Sequence, residues 1–108
     1  MIAIVDIGSN AVKYKIFDKK SMELIEYVRE PLRLGTDVFI TGSLSIEKIN
    51  DLLKLLNEYK KTLEIKNINE CHFIATSAIR DASNNKLIVD ALRKENINLQ
   101  IISGEVEA

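Results

Sequence analysis

The stretch Ile2-Ala3-Ile4-Val5-Asp6-Ile7-Gly8-Ser9-Asn10-Ala11-Val12-Lys13-Tyr14-Lys15-Ile16 decides the fold. Residues 2–6 are a continuous apolar run ending in an acid, which reads as a central strand buried on both faces. Gly8-Ser9-Asn10 is a turn signal. Residues 11–18 then alternate, with Val12, Tyr14 and Ile16 on one face and Lys13 and Lys15 on the other. That is the pattern of a half-exposed strand, so residues 2–18 form a hairpin.

Outward from the hairpin, residues 22–30 read as a third strand that Pro31 breaks. Arg33-Leu34-Gly35 leads into a loop through Gly42. Ser45 is a helix N-cap, with Glu47 in the first turn where a carboxylate suits the helix dipole. Apolar residues follow at Ile46, Ile49, Leu53, Leu56 and Leu63, with Leu52, Leu55 and Tyr59 alongside, so 45–63 is an amphipathic helix. Cys71 to Ala75 is a short strand. Thr76 or Ser77 caps a helix over about 77–83, Asn84-Asn85 interrupts it, and a second helix covers about 85–95. Residues 97–102 are the last strand, and a short helix starts near Ser103-Gly104. The order is βββ-α-β-α-β. Right-handed crossovers make the last two strands parallel to the first, giving an α/β fold with a mixed five-stranded sheet.

Composition narrows the function classes. The chain has 108 residues, which is one domain by the usual size prior. That leaves no room for two full lobes around a cleft. Fifteen basic and sixteen acidic residues give a net charge of −1. A general electrostatic grip on nucleic acid or on a membrane surface needs a basic excess, and there is none. Cys71 is the only cysteine, so no intrachain disulfide forms and a reducing cytoplasm is the expected compartment. No apolar stretch approaches the ~18 residues of a membrane span, and the N-terminus lacks the basic region of a secretion signal.

Three loops follow the C-terminal ends of the parallel strands, the edge where open sheets of this kind bind ligands. In the first, Gly8 lets backbone approach a ligand closely, and successive N–H groups of a tight turn form an anion nest. Ser9 and Asn10 add short donors. Asp6 would repel phosphate unless a divalent cation or an ordered water stood between them, as in metal-assisted phosphoryl chemistry. The plain alternative is a strand that ends in Asp before a Gly-Ser-Asn turn. In the second loop, Thr76 and Ser77 stand at a helix N-terminus, which favours anions, and Arg80 one turn on can fork onto phosphate oxygens. The alternative is a capped helix with a surface arginine. In the third, Glu105 and Glu107 open a helix where a carboxylate can orient or deprotonate a water. They equally suit the helix dipole.

Other candidates carry less. His72 has no partner at metal-ligand spacing beyond the adjacent Cys71 and reads as structural. Tyr14, Tyr27 and Tyr59 read as packing residues. Lys13 is solvated or lies near the ligand mouth.

These residues together resemble the N-terminal domain of the exopolyphosphatase / guanosine pentaphosphate phosphohydrolase family, within the actin, sugar kinase and heat-shock chaperone superfamily of ribonuclease-H-like folds. Asp6-Ile7-Gly8-Ser9-Asn10 resembles its first phosphate loop. Arg33-Leu34-Gly35 followed by Leu44-Ser45 resembles its loop into the first long helix. Ala75-Thr76-Ser77-Ala78-Ile79-Arg80, followed by Ala82 and Asn84, is similar to its second signature. Ile101-Ile102-Ser103-Gly104, followed by Glu107-Ala108, is similar to its third. The resemblance runs end to end, and the blocks stand in the family's order.

The resemblance implies that Gly8, Ser9 and Asn10 contact phosphate, that Arg80 binds it, and that Thr76 and Ser77 shape that loop. It implies a divalent ion, Mg2+ or another, near Asp6 and Glu107. It places Glu107 as the base that activates water for attack on a terminal phosphate. Ala11 departs from a frequent Ser, and Val106 from a frequent polar residue, which makes Glu107 a better-aligned carboxylate than Glu105. The family builds its site between two related domains. Residues 1–108 therefore read as the first of them, with the length a boundary cut through a larger enzyme. Implied partners are polyphosphate or guanosine pentaphosphate, the missing C-terminal domain, and a second copy in a homodimer of the complete protein. Two other function classes compete: a non-catalytic module that binds phosphate or a partner chain, and a kinase or chaperone-like ATPase lobe. The Ser9-Asn10 pair and the Thr76–Arg80 block argue against the lobe.

Overall fold

The computed structural model describes residues 1–102. Ser103, Gly104, Glu105, Val106, Glu107 and Ala108 lie outside the described residues, and so does the third loop with its two glutamates.

Strands β1 (Ile2–Ile7), β2 (Ala11–Phe17) and β3 (Leu24–Pro31) form an antiparallel meander. Helices α1 (Leu34–Thr41) and α2 (Ile46–Ile65) follow. Then come β4 (Glu70–Ala75), α3 (Ser77–Asp81), α4 (Asn85–Lys94) and β5 (Leu99–Ile101). The sheet order is β3-β2-β1-β4-β5, with β4 parallel to β1 and β5 parallel to β4. This is the mixed five-stranded α/β arrangement that the sequence pattern implies, with β1 at its centre.

Two details of the expected layout change. β1 is not buried on both faces. Ala3, Val5 and Ile7 are fully buried, whereas Ile2, Ile4 and Asp6 are half-buried. The register explains why: Ile4 pairs Lys15 on one side and His72 on the other, so that face continues into polar neighbours that are half-buried or exposed. The second change is α1, where a loop was expected. Its only buried residue is Leu34, and Phe39 and Ile40 stand exposed, so no apolar stripe marks it. It ends where Gly42 adopts a left-handed conformation, φ 82°, and donates its N–H to the Val38 carbonyl at 2.8 Å. Glycine takes that conformation without a Cβ penalty.

The inner sheet face joins one core with the helices. Val12, Tyr14 and Ile16 meet Ile49, Leu52, Leu56, Tyr59 and Leu63 of α2, and Ile88 and Leu92 of α4 complete the cluster. Ile46, expected on that stripe, is 74% exposed, so the buried face of α2 starts one turn later. Ser45 caps α2 as its side chain accepts from the Lys48 N–H. Tyr14 and Tyr59 pack edge to face, 4.9 Å between centroids. Tyr27, by contrast, lies on the edge strand with 46% exposure and takes the Lys15 ammonium over its ring, so it is not a packing residue.

Candidate functional site

The parallel core β1-β4-β5 sends the loops after β1 and β4 to the same sheet edge, and the structure locks them together. The Ser9 and Ser77 hydroxyl oxygens lie 2.6 Å apart. The Thr76 N–H donates to the Ile7 carbonyl at 3.2 Å, which extends the β1–β4 pairing into the loop. Ser9 and Ser77, 68 residues apart in sequence, thus share one hydrogen bond. A small cavity lies beside them, lined by Gly35, Val38 and Phe39 of α1 and by Ala78 and Asp81 of α3.

The first loop is a tight turn. The Gly8 N–H donates to the Ala11 carbonyl at 3.0 Å, so that donor closes the turn and does not face a ligand. A Cβ at Gly8 would approach the Ala11 oxygen to 3.2 Å, which is why the smallest residue stands there. Asn10 is exposed, and its carbonyl accepts from the Leu32 N–H.

Asp6 closes β1 on the half-buried face, beside Lys13 of β2 and Ile74 of β4. Its Oδ1 is buried and accepts no hydrogen bond from any described residue. A buried carboxylate oxygen with no donor is costly unless a cation, a water or a ligand meets it. Asp6 therefore fits a hard oxygen-seeking cation. Among the described residues no group of three or more His, Cys, Asp or Glu side chains converges, so a cation there would take few side-chain ligands from them. Magnesium keeps several waters and commonly takes only one or two carboxylates, which suits such a sparse site.

Arg80 stands at the far end of the edge. Its Nη1 donates to the Ile102 carbonyl at 3.1 Å and its Nε to Asp81 at 3.4 Å, so α3 is tied to the end of β5. Thr76 is the residue before α3 but makes no side-chain cap, and α3 has only five residues. His72 is exposed and lies 3.2 Å from a Glu70 oxygen. Glu70 also accepts from Lys19, the stronger of the two contacts, and together they hold its carboxyl below the usual range.

Sequence reasoning missed the part played by Gly35. Its N–H donates to the Ser9 carbonyl at 2.9 Å, so α1 is seated directly against the first loop. The signal was present in Arg33-Leu34-Gly35, but nothing in that tripeptide says which distant residue it meets.

Comparison with known proteins agrees with this architecture. The model of the Ppx/GppA phosphatase family matches residues 14–108. The chain is 34% identical to a bifunctional 3-dehydroquinate synthase/phosphatase of Fusobacterium nucleatum, over 98% of this chain and 18% of that protein. It is 27% identical to exopolyphosphatase 1 of Mycobacterium bovis, over 99% of this chain and 32% of that protein. The chain thus spans a third or less of these relatives' length. A crystal structure of the Aquifex aeolicus Ppx/GppA family member superposes with a TM-score of 0.89 at 29% identity, covering 98% of this chain and 36% of that one. An exopolyphosphatase from Cytophaga hutchinsonii shares the fold, with a TM-score of 0.83 at 22% identity, over 96% of this chain and 34% of that one. The sheet, its strand order and these matches agree that the chain belongs to the Ppx/GppA phosphatase family, with an actin-like ATPase fold.

Proposed function

We propose that this chain is the N-terminal half-site of a metal-dependent phosphohydrolase that removes terminal phosphate from inorganic polyphosphate or guanosine pentaphosphate in the cytoplasm. The observation that carries the reading is the junction of the first two edge loops through Ser9 and Ser77, with the undonated Oδ1 of Asp6 at the end of β1. The exopolyphosphatase relatives support a phosphoanhydride substrate.

In this reading Ser9 and Asn10 hold phosphate oxygens from the first loop, and Gly8 closes the turn that presents them. Thr76, Ser77 and Arg80 hold them from the second, with Arg80 as the charged donor. Asp6 and Glu107 would hold a magnesium ion, which when bound neutralises charge on the leaving phosphate. Glu107 takes a proton from a water whose oxygen attacks the terminal phosphorus. The bond from that phosphorus to its bridging oxygen breaks. Inorganic phosphate leaves, and the remaining chain is one phosphate shorter. In this reading a second domain closes the other side of the site with a further Asp- and Gly-rich phosphate loop, which nothing in residues 1–108 resembles.

The test is phosphate release with magnesium present, on the complete protein and on these 108 residues. The expected result is turnover by the complete protein and none by this chain alone. Glu107→Gln in the complete protein is expected to abolish turnover and leave the far-ultraviolet spectrum unchanged; undiminished turnover removes Glu107 from the role. Phosphate binding with no turnover in either form indicates a binding module instead. Phosphoryl transfer from a nucleotide to a sugar or acetate indicates a kinase lobe.

A further inference from the structure

Gly35 lies against Ser9 more closely than any other residue type allows. A Cβ placed at position 35 would stand 2.9 Å from the Ser9 Cβ and 3.3 Å from the Ser9 carbonyl oxygen. Favourable carbon–carbon separations are about 3.5–4.0 Å, so any side chain at position 35 displaces Ser9. Backbone dihedrals do not explain the glycine: among the described glycines only Gly42 has a positive φ. Close approach does.

Ser9 has little room to retreat. The Gly8 N–H pins the turn to the Ala11 carbonyl at 3.0 Å, the Gly35 N–H holds the Ser9 carbonyl at 2.9 Å, and the Ser9 hydroxyl is 2.6 Å from that of Ser77. A displacement of Ser9 is therefore taken up at the Ser9–Ser77 pair. We propose that Gly35 is a positioning residue for the phosphate site: its missing side chain sets how deep the first loop sits, and thereby the spacing of the two hydroxyls. Gly35 itself touches no substrate. The inference rests on the function proposed above.

Inorganic tripolyphosphate with magnesium is titrated into the 108-residue chain and followed by amide NMR shifts, at a temperature where circular dichroism shows every variant folded. Gly35→Ala is expected to weaken binding about ten-fold, the scale of one charge-assisted hydrogen bond. Ser9→Gly alone weakens it several-fold. The double variant is expected to bind nearly like Ser9→Gly alone, because removing the Ser9 Cβ removes the 2.9 Å collision and leaves only the milder 3.3 Å approach to the Ser9 oxygen. A purely structural role would lower the melting temperature and leave the affinity of the folded protein intact. Parental affinity in Gly35→Ala overturns the proposal, as does a double variant that loses the product of the two single losses. If Gly35→Ala does not fold, the double variant carries the test: affinity near that of Ser9→Gly supports the proposal, and clearly weaker affinity overturns it. Failure of the parent chain to bind tripolyphosphate is a separate result, which removes the phosphate-site reading and this inference with it.

Discussion

Asn84 shows how one side chain can replace a length of backbone. Its Oδ1 accepts from the Leu44 N–H at 3.1 Å and its Nδ2 donates to the Leu44 carbonyl at 3.0 Å. Both polar groups of a half-buried side chain are satisfied by the backbone of one residue, which joins the entry to α2 with the α3–α4 junction. Asn84 precedes α4 but does not cap it, because its side chain is engaged at Leu44. Asn84→Ala leaves both Leu44 groups without their partner and is expected to cost about 1–3 kcal/mol in urea unfolding. Cys71 behaves differently. Burial pushes its thiol up to about 11. At pH 8 the folded chain should react with iodoacetamide at least about ten-fold more slowly than the urea-unfolded chain, because only the thiolate attacks. Equal rates would mean that the thiol is freely solvated.

Elements differ in how far the sequence announces them. β2 was legible because Val12, Tyr14 and Ile16 alternate with Lys13 and Lys15, and the structure buries the first set only. α2 was legible through Ser45 and the three-and-four spacing of its apolar residues. α1 was not, because Gly35, Val38, Phe39, Ile40 and Thr41 carry neither a helical preference nor a stripe. It forms on tertiary grounds, from the Gly35–Ser9 hydrogen bond and its packing on α3. The meeting of the loops after β1 and β4 on one edge was legible, but the Ser9–Ser77 bond was not, since sequence spacing says nothing of hydroxyl geometry. Leu56→Ala, in the fully buried stripe of α2, is expected to cost about 2–5 kcal/mol. Between α2 and the edge strand, Tyr14 and Lys66 donate to Glu26 and hold its carboxyl below the ordinary 4.5. The folded pKa is depressed, so this contribution is present above 4.5 and is lost as pH falls through the lower folded value. Tyr14→Phe should move the Glu26 carboxyl back toward 4.5 in an NMR titration and flatten the acid side of the stability profile.

At the scale of the whole molecule, the outer sheet face is less covered than the inner one, and among the described residues no helix is long and apolar enough to cross a membrane. In the proposed reading the chain supplies one wall of a site, and it spans a third or less of the curated relatives it matches. Ser9 and Ser77 lie 68 residues apart, on loops that meet only when β4 has docked in parallel against β1. That docking is the slow kind of step, since chain entropy must be lost over a long segment before the contact is gained. The proposed phosphate wall has no complete local precursor: the first loop closes within the β1–β2 hairpin, but the second reaches it only across the β1–β4 pairing. A ligand that grips both loops therefore reports on, and draws from, the global folding equilibrium. At a concentration of about 100 times its Kd, such a ligand adds about 2.7 kcal/mol to the stability of the whole chain. Amide exchange should then slow across β1 and β4 alike, far from any contact with the anion.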